Sequence, residues 1–237
     1  MATLGAFLIP VHMAYPHYPV WRVALVSCLL GGVGLVSAEA RIGDSVDQMN
    51  GRMLQPDLGK FFTWPKEMEE RARERAIKEN PIMAFANFLP TAAEDWREQI
   101  YWKSAIRRQL SNEDGWRVHA YFLRGSSVLE CYRRVGNALN EFEINALLTR
   151  VRGNQTWRKV GRKENKETLL GYDYELGEGG QESLRARHQG DWLIIYHKRL
   201  DDMLVARKAK WDATEEKRKA EERVEQERGA PVSVEGF

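Results

Sequence analysis

The sequence predicts an α+β fold: an antiparallel sheet built from two hairpins and intervening strands, packed by helices on one side, with a helical insertion and a long charged C-terminal helix. Three observations lead to this prediction. Two segments alternate apolar and polar residues on either side of a turn. Between them, a segment with an N-cap residue carries apolar residues at helical spacing. The region before the C-terminus is rich in charges of both signs, as a solvated helix would be.

The first hairpin has the arms WRVHAYFL and SVLECYRR, joined through Arg124–Ser127. A loop of two or four residues gives the same parity, so both lengths predict the same two faces. One face is apolar, with Trp116, Val118, Ala120 and Phe122 opposite Leu129 and Cys131. This position favours a buried, inert thiol at Cys131. The other face places His119 opposite or diagonal to Glu130.

A helix over Asn140–Arg152 follows the first hairpin. Asn140 can cap it, and Glu143 is the matching capping-box residue three positions later. Its apolar positions fall on one stripe, which predicts that this side packs against the sheet. The stripe consists of Ile144, Leu147, Leu148 and Val151.

Two strands, Thr156–Val160 and Leu169–Glu175, lead to the second hairpin, whose turn is Gly190-Asp191. A two-residue turn puts Leu184, Ala186, Leu193 and Ile195 on one face with His188 and His197. The opposite face carries Trp192, Ile194 and Tyr196 with Arg185 and Arg187. Both faces are partly apolar, which favours a central hairpin covered on each side. Because aromatic and arginine side chains are mixed on the second of these faces, Arg185, Arg187, Trp192 and Tyr196 are the candidate residues for binding a ligand or partner.

Residues 1–40 have the pattern of a signal peptide, with translation beginning at Met1 or Met13. Arg22 precedes the apolar run Val23–Val36, and small residues then allow cleavage after Ala38 or Ala40. The predicted location is the periplasm or the medium, and the mature protein has no integral membrane span. The alternative is a membrane anchor formed by an uncleaved signal, although the run is short for a span.

The mature protein is predicted as a single α+β domain over 41–211, followed by a charged helical arm and tail over 212–237. A short helix near Ile42 can be capped by Asp44 or Ser45. Residues 57–110 are predicted as a helical insertion, with a charged helix over Lys66–Asn80 that ends at Pro81 and a second helix over Thr91–Leu110.

The first helix carries a loose motif that resembles small exported bacterial proteins in which a helix is followed by a β-hairpin. The group includes the small lipoproteins of the outer-membrane barrel-assembly machinery and β-lactamase inhibitor proteins. The motif residues are Gly43, Ser45, Gln48, Met49, Met53 and Pro56. The present sequence has Leu54 where the group usually has glycine, and its hairpin comes about sixty residues later than in the group. The resemblance implies a non-catalytic exported module and transfers no functional residue.

The sequence offers little catalytic chemistry. His119 and Glu130 are the candidate acid–base couple of a hydrolase-like enzyme, which is the alternative function. No metal or cofactor is predicted, because His188 and His197 would lie about 13 Å apart along their hairpin. Export and a net charge of +2 argue against a nucleic-acid ligand. The leading hypothesis is an exported, non-enzymatic binding or structural protein that acts through a protein partner.

Overall fold

A computed structural model describes residues 42–104, 114–151, 155–163, 167–177 and 183–229. The predicted signal peptide and the C-terminal tail lie outside these ranges. The described residues form an eight-stranded sheet with the order β1-β2-β3-β4-β8-β7-β6-β5. All neighbouring strands pair antiparallel. The predicted α+β class, with its antiparallel sheet and long C-terminal helix, is confirmed.

The strands and helices of the described residues are short, except for one long C-terminal helix. The strands are β1 (Gly59–Phe61), β2 (Trp96–Ser104), β3 (Gly115–Leu123), β4 (Ser126–Val135), β5 (Trp157–Lys163), β6 (Tyr172–Leu176), β7 (Leu184–Gln189) and β8 (Trp192–His197). The α-helices are α1 (Val46–Met53), α2 (Glu70–Lys78), α3 (Glu141–Val151) and α4 (Lys198–Gly229). Two 3₁₀ helices span Pro81–Phe88 and Ala92–Glu94.

Helices α1 and α3 pack on the first face of the sheet. Helix α3 has the predicted capping box, in which Glu143 N–H donates to Asn140 Oδ1 at 2.9 Å. Helix α1 is capped by Ser45, one of its two predicted caps, and Gln48 completes a capping box there by donating its N–H to Ser45 Oγ. The buried residues of both helices join one apolar cluster with inward-facing residues of β3, β4, β7 and β8. The cluster includes Met49, Met53, Ile144, Leu148, Val118, Phe122, Tyr132, Ala186, Leu193 and Ile195.

The second face is also covered, so helices lie on both sides of the sheet rather than on one. Helix α4 and the 3₁₀ helix Pro81–Phe88 contribute to this second cluster. Its members include Ile82, Leu200 and Leu204 against Leu129, Cys131, Trp192, Ile194 and Tyr196. The predicted two-residue turn at Gly190-Asp191 is confirmed by the pairing of Gln189 with Trp192. This hairpin therefore has the predicted central position with both faces covered.

The faces predicted for the first hairpin are wrong on strand β4. A tight turn at Arg124-Gly125, both with positive φ, pairs Phe122 with Ser127. The register then shifts at a β-bulge in which Val128 is the extra residue, so Tyr121 pairs with Leu129. One inserted residue moves every following side chain to the other face. Consequently, His119 pairs with Cys131, and Glu130 pairs with Ala120 on the first face.

The helix predicted over Thr91–Leu110 is also wrong where the structure describes it. Residues 96–104 form strand β2, which pairs with β3 along its full length. Trp96 and Ile100 suggested a helix because they lie four residues apart. That spacing also places two residues on the same face of a strand. The described part of the predicted insertion, residues 57–104, is thus a mixture of short helices and strands, since β1 also extends the sheet.

Helix α4 leaves the body of the domain near Trp211, whose side chain is 49% exposed. The Trp211 ring meets Phe88 edge-on at 6.0 Å, and from Glu216 to Glu227 every side chain is exposed. A helix with so few apolar residues cannot gain stability by packing, which agrees with its charged sequence. Within the described ranges, no helix combines the length and apolar character needed to cross a bilayer.

Leu148→Ala tests the packing of α3 on the first face. Leu148 is 3% exposed, so the truncation removes buried methyl groups and leaves a cavity. We expect the free energy of unfolding, measured with urea, to fall by about 2–5 kcal/mol. Asn145→Ala, at an exposed position of the same helix, should change it by less than about 0.5 kcal/mol. Equal effects of the two substitutions would show that the stripe does not face the core.

Candidate functional site

A row of aromatic and cationic residues crosses the second face of the sheet. Trp102 on β2 pairs with Arg117 on β3, which pairs with Arg133 on β4. Arg133 in turn pairs with Trp192 on β8. Residues that are directly paired across neighbouring strands point to the same face. The row therefore places two arginines side by side between two tryptophans.

Aromatic rings lie against both guanidinium groups. The Arg117 and Arg133 Cζ atoms lie 5.4 and 5.5 Å from the centroid of the Trp192 ring, within cation–π distance. Phe62 and Trp64, in the segment between β1 and α2, lie 5.6 and 5.4 Å from Arg117 Cζ. Arg117 is consequently buried, with 6% of the residue exposed.

A surface depression of about 610 Å³ opens next to this row, and we call it the Trp192 depression. Its volume is in the range of sites that hold a small ligand or a few peptide side chains. One wall is the end of α2 and the start of the 3₁₀ helix. The other wall is the β7–β8 turn with Arg133 and Trp192. The lining residues are Lys78, Glu79, Asn80, Pro81, Met83, Ala84, Arg133, Gln189, Gly190, Asp191 and Trp192.

Arg133 places a positive charge in the wall of the Trp192 depression. Its Nη1 lies 2.6 Å from Oε2 of Glu79, and its Nη2 lies 4.0 Å from Oδ2 of Asp191. Both carboxylate side chains are about half exposed, at 53% and 51%. Ion pairs with exposed partners are weak, so these contacts can exchange for contacts with a ligand.

A buried polar network lies beneath the wall of the depression. Asn80 caps the 3₁₀ helix by accepting a hydrogen bond from Ile82 N–H, and its Nδ2 donates to Tyr121 Oη at 2.7 Å. His119 Nδ1 is 2.7 Å from Glu98 Oε1, and its ring meets Trp192 edge-on at 5.3 Å. This network holds the wall of the depression against strands β2 and β3.

His119 is positioned as a neutral, buried group. Burial lowers the pKa of His119 below its ordinary value, and the nearby charges of Arg117 and Arg133 lower it further. Glu98 opposes this effect, because its carboxylate accepts a hydrogen bond from His119 Nδ1 and its negative charge favours the protonated ring. Nε2 is buried and has no hydrogen-bond partner among the described residues. The imidazole therefore orients its neighbours and does not reach the depression as an exposed base.

The predicted couple of His119 and Glu130 does not form, because the bulge at Val128 sends the two side chains to opposite faces. Glu130 is fully buried against α1, where its Oε1 lies 3.0 Å from Arg52 Nη2. A hydrogen bond also joins Glu130 to Tyr132 Oη. The catalytic pairing that motivated a hydrolase is thus wrong.

The four residues predicted to bind a ligand or partner have different locations. Arg185 is buried between Asp201 and the Tyr172 ring, and Tyr196 is buried with its hydroxyl donating to Gly171 O at 2.7 Å. Arg187 Nη1 donates to Leu170 O at 2.6 Å. These three side chains hold the loop before β6. Of the four predicted residues, only Trp192 lines the Trp192 depression.

No pattern in the sequence connects Trp192 with Arg117, Arg133, Asn80 or Glu98. Arg117 and Arg133 lie on the two arms of one hairpin, but they share a face only because of the bulge. Asn80 comes from a region assigned to an insertion, and Glu98 from a segment assigned to a helix. Cys131, predicted to be inert, is buried beside this network, and burial raises the pKa of its thiol.

Comparisons with known proteins give no assignment: no family model, curated protein or solved structure matches this sequence. The resemblance to small exported helix-then-hairpin proteins therefore stays a prediction. Within the described residues, no three His, Cys, Asp or Glu side chains are grouped so that they could hold a metal ion.

His119 and Glu98 give a testable dependence of stability on pH. The folded pKa of His119 lies below its unfolded value, so the unfolded protein binds a proton that the folded protein does not. The contribution of His119 to the free energy of unfolding is therefore largest above about pH 6.5, and it decreases as the pH falls below that value. The pKa of Glu98 is also lowered, despite burial, by hydrogen bonds from His119 and Tyr121, which adds a loss of stability in the same direction at lower pH.

The measurement is urea unfolding of the wild type and His119→Gln between about pH 5 and pH 7.5, the range in which histidine side chains titrate, so that the difference between the two proteins reports on His119. One proton accounts for at most about 1.4 kcal/mol per pH unit. We expect the variant to show a flatter slope by up to this amount. Parallel slopes would mean that His119 keeps an ordinary pKa in the folded protein.

Proposed function

We propose that this protein is an exported, non-enzymatic binding module that recognises a protein partner through the Trp192 depression. The observation that carries the proposal is a preformed depression that has both Arg133 and the Trp192 ring in its wall. Tryptophan and arginine contribute most of the binding energy at many protein interfaces. The surrounding walls are held by the buried hydrogen bonds of Asn80, so little conformational freedom is lost on binding.

Export is the second part of the proposal and has its own test. Arg22, the apolar run Val23–Val36 and the small residues at Ala38 and Ala40 favour cleavage by a signal peptidase. We expect protein from its native host to begin at Glu39 or Arg41 and to fractionate outside the cytoplasm. N-terminal sequencing of each cell fraction makes the measurement. An intact N-terminus at Met1 or Met13 in soluble cytoplasmic protein would contradict export, whereas the same intact N-terminus in membranes would favour the uncleaved anchor.

Site-specific photocrosslinking tests partner binding at the depression. A photoreactive phenylalanine analogue replaces Met83 in the depression wall or, as a matched control, Phe142 on α3. Both positions are exposed and apolar, at 37% and 82%, so the replacements should be tolerated. In the native host we expect a discrete adduct from position 83 and none from position 142. Adducts from both positions, or from neither, would contradict the proposal.

A further inference from the structure

Arg117 and Arg133 place two positive charges side by side, and the half-exposed carboxylates of Glu79 and Asp191 lie within ion-pair distance of Arg133. Their side chains are directly opposite on neighbouring strands, and like charges in that position destabilise a sheet. Arg117 is more than nine-tenths buried, and its Nε and Nη2 have no hydrogen-bond partner among the described residues. Buried donors of this kind are normally paired. Arg117 does not itself line the Trp192 depression, but it lies directly beside Arg133, which does.

Arg117 keeps its charge in spite of burial. Burial and the neighbouring charge of Arg133 lower the pKa of Arg117 to about 10, which still leaves it protonated at neutral pH. The rings of Phe62, Trp64 and Trp192 supply favourable cation–π contacts. The rings exclude water from the Arg117 guanidinium group. Because the local dielectric constant is lower there than in bulk water, Arg117 would attract a nearby anion more strongly.

Glu79 shows which kind of anion the site accommodates. Its carboxylate contacts Arg133 from the exposed residue that follows α2 and is itself half exposed. The Nη1–Oε2 distance of 2.6 Å is that of a charge-assisted hydrogen bond. A carboxylate with one negative charge therefore fits against Arg133. A phosphate dianion would suffer stronger repulsion from the nearby carboxylates of Glu79 and Asp191.

We propose that Arg133, with Arg117 behind it, binds a carboxylate of the partner protein in place of Glu79. The inference rests on the proposed function and specifies the chemistry of the ligand. Glu79 then acts as an internal competitor that occupies the arginine until the partner arrives. The carboxylate can come from an acidic side chain or from the C-terminus of the partner, and the two sources differ in the probes that imitate them.

The test is an NMR titration that follows the indole N–H signal of Trp192 in protein purified from its native host. N-acetyl-glutamate α-amide represents an acidic side chain, and N-acetyl-alanine represents a C-terminus. N-acetyl-glutamine α-amide and inorganic phosphate are the uncharged and dianionic controls. We expect at least one carboxylate probe to shift the signal in a saturable way. The probe with the lower Kd identifies whether the partner's carboxylate comes from an acidic side chain or from its C-terminus. An equal response to the glutamine probe or to phosphate overturns the inference.

Glu79→Gln provides the sharpest variant, because it should gain binding, and misfolding cannot imitate a gain. Removing the competing carboxylate should lower the Kd of the carboxylate probe several-fold. Glu74→Gln makes the same charge change at an exposed position of α2 and should leave the Kd unchanged. Arg133→Gln should abolish the shift. A Glu79→Gln protein that binds no more tightly than Glu74→Gln overturns the inference.

The titration and the crosslinking experiment fail independently. A partner adduct at position 83, combined with no response to either carboxylate probe, would overturn the carboxylate site and leave the proposed function standing. Specific carboxylate binding without any adduct at position 83 would support the carboxylate site and overturn the proposed protein partner.

Discussion

Glu130→Ala should reduce the free energy of unfolding by about 3–5 kcal/mol, the range for breaking a buried ion pair. Glu130 is fully buried, and its partner Arg52 is only 7% exposed in its side chain. Burial alone would lower the pKa of Arg52, but Glu130 and Tyr132 raise it above its ordinary value. Without Glu130, the guanidinium stays charged beneath α1 and keeps Asp44, at 3.3 Å, as a partner.

Three further variants separate the causes of this loss in urea unfolding. Glu130→Gln keeps hydrogen-bonding capacity and should lose less stability than Glu130→Ala. The double variant Arg52→Met with Glu130→Leu removes both charges and should recover part of the loss, because it leaves neither charge unpaired. Arg97→Ala breaks an exposed pair with Asp95 and should change stability by less than about 1 kcal/mol. If Glu130→Ala costs no more than Arg97→Ala, the pair does not stabilise the packing of α1.

The fold could be predicted wherever local signals specify the geometry. Helices α1 and α3 begin at their capping boxes, and the second hairpin turns at Gly190-Asp191 as its sequence indicates. In each of these places the residues that determine the conformation are neighbours in the sequence. Strand β2 could not be distinguished from a helix, because its pairing with β3 depends on contacts distant in sequence.

The candidate site depends on the extra residue of the β-bulge, Val128, and no pattern in the sequence predicts this bulge. A regular register set by the turn at Arg124-Gly125 would place His119 opposite Glu130 and put Arg117 and Arg133 on different faces. The bulge at Val128 reverses both relations. It separates the couple expected to catalyse a reaction, and it brings the two arginines together beside Trp192. A bulge adjacent to a site can redirect a side chain in this way, but it is recognised only from the pairing itself.

Asp201 binds the backbone of the loop before β6, and Asp201→Ala should disrupt this loop. Asp201 is fully buried in the first turn of α4, and its Oδ1 accepts hydrogen bonds from the backbone N–H groups of Leu169 and Leu170, both at 2.9 Å. Its Oδ2 lies 3.2 Å from Arg185 Nη1. The substitution leaves a buried cation and two amides without this acceptor, so we expect a loss of about 3–5 kcal/mol in urea unfolding.

Asp201→Asn separates the two roles of this carboxylate. The amide oxygen can still accept from Leu169 and Leu170, but the neutral side chain no longer balances the charge of Arg185. Hydrogen exchange of these two amides should therefore accelerate in Asp201→Ala and remain slow in Asp201→Asn. Asp202→Ala is the matched control, because Asp202 is 33% exposed, pairs with Lys198, and should change stability by less than about 0.5 kcal/mol. Rapid exchange of both amides in the Asn variant would mean that the ion pair with Arg185, rather than the Oδ1 hydrogen bonds, holds the loop.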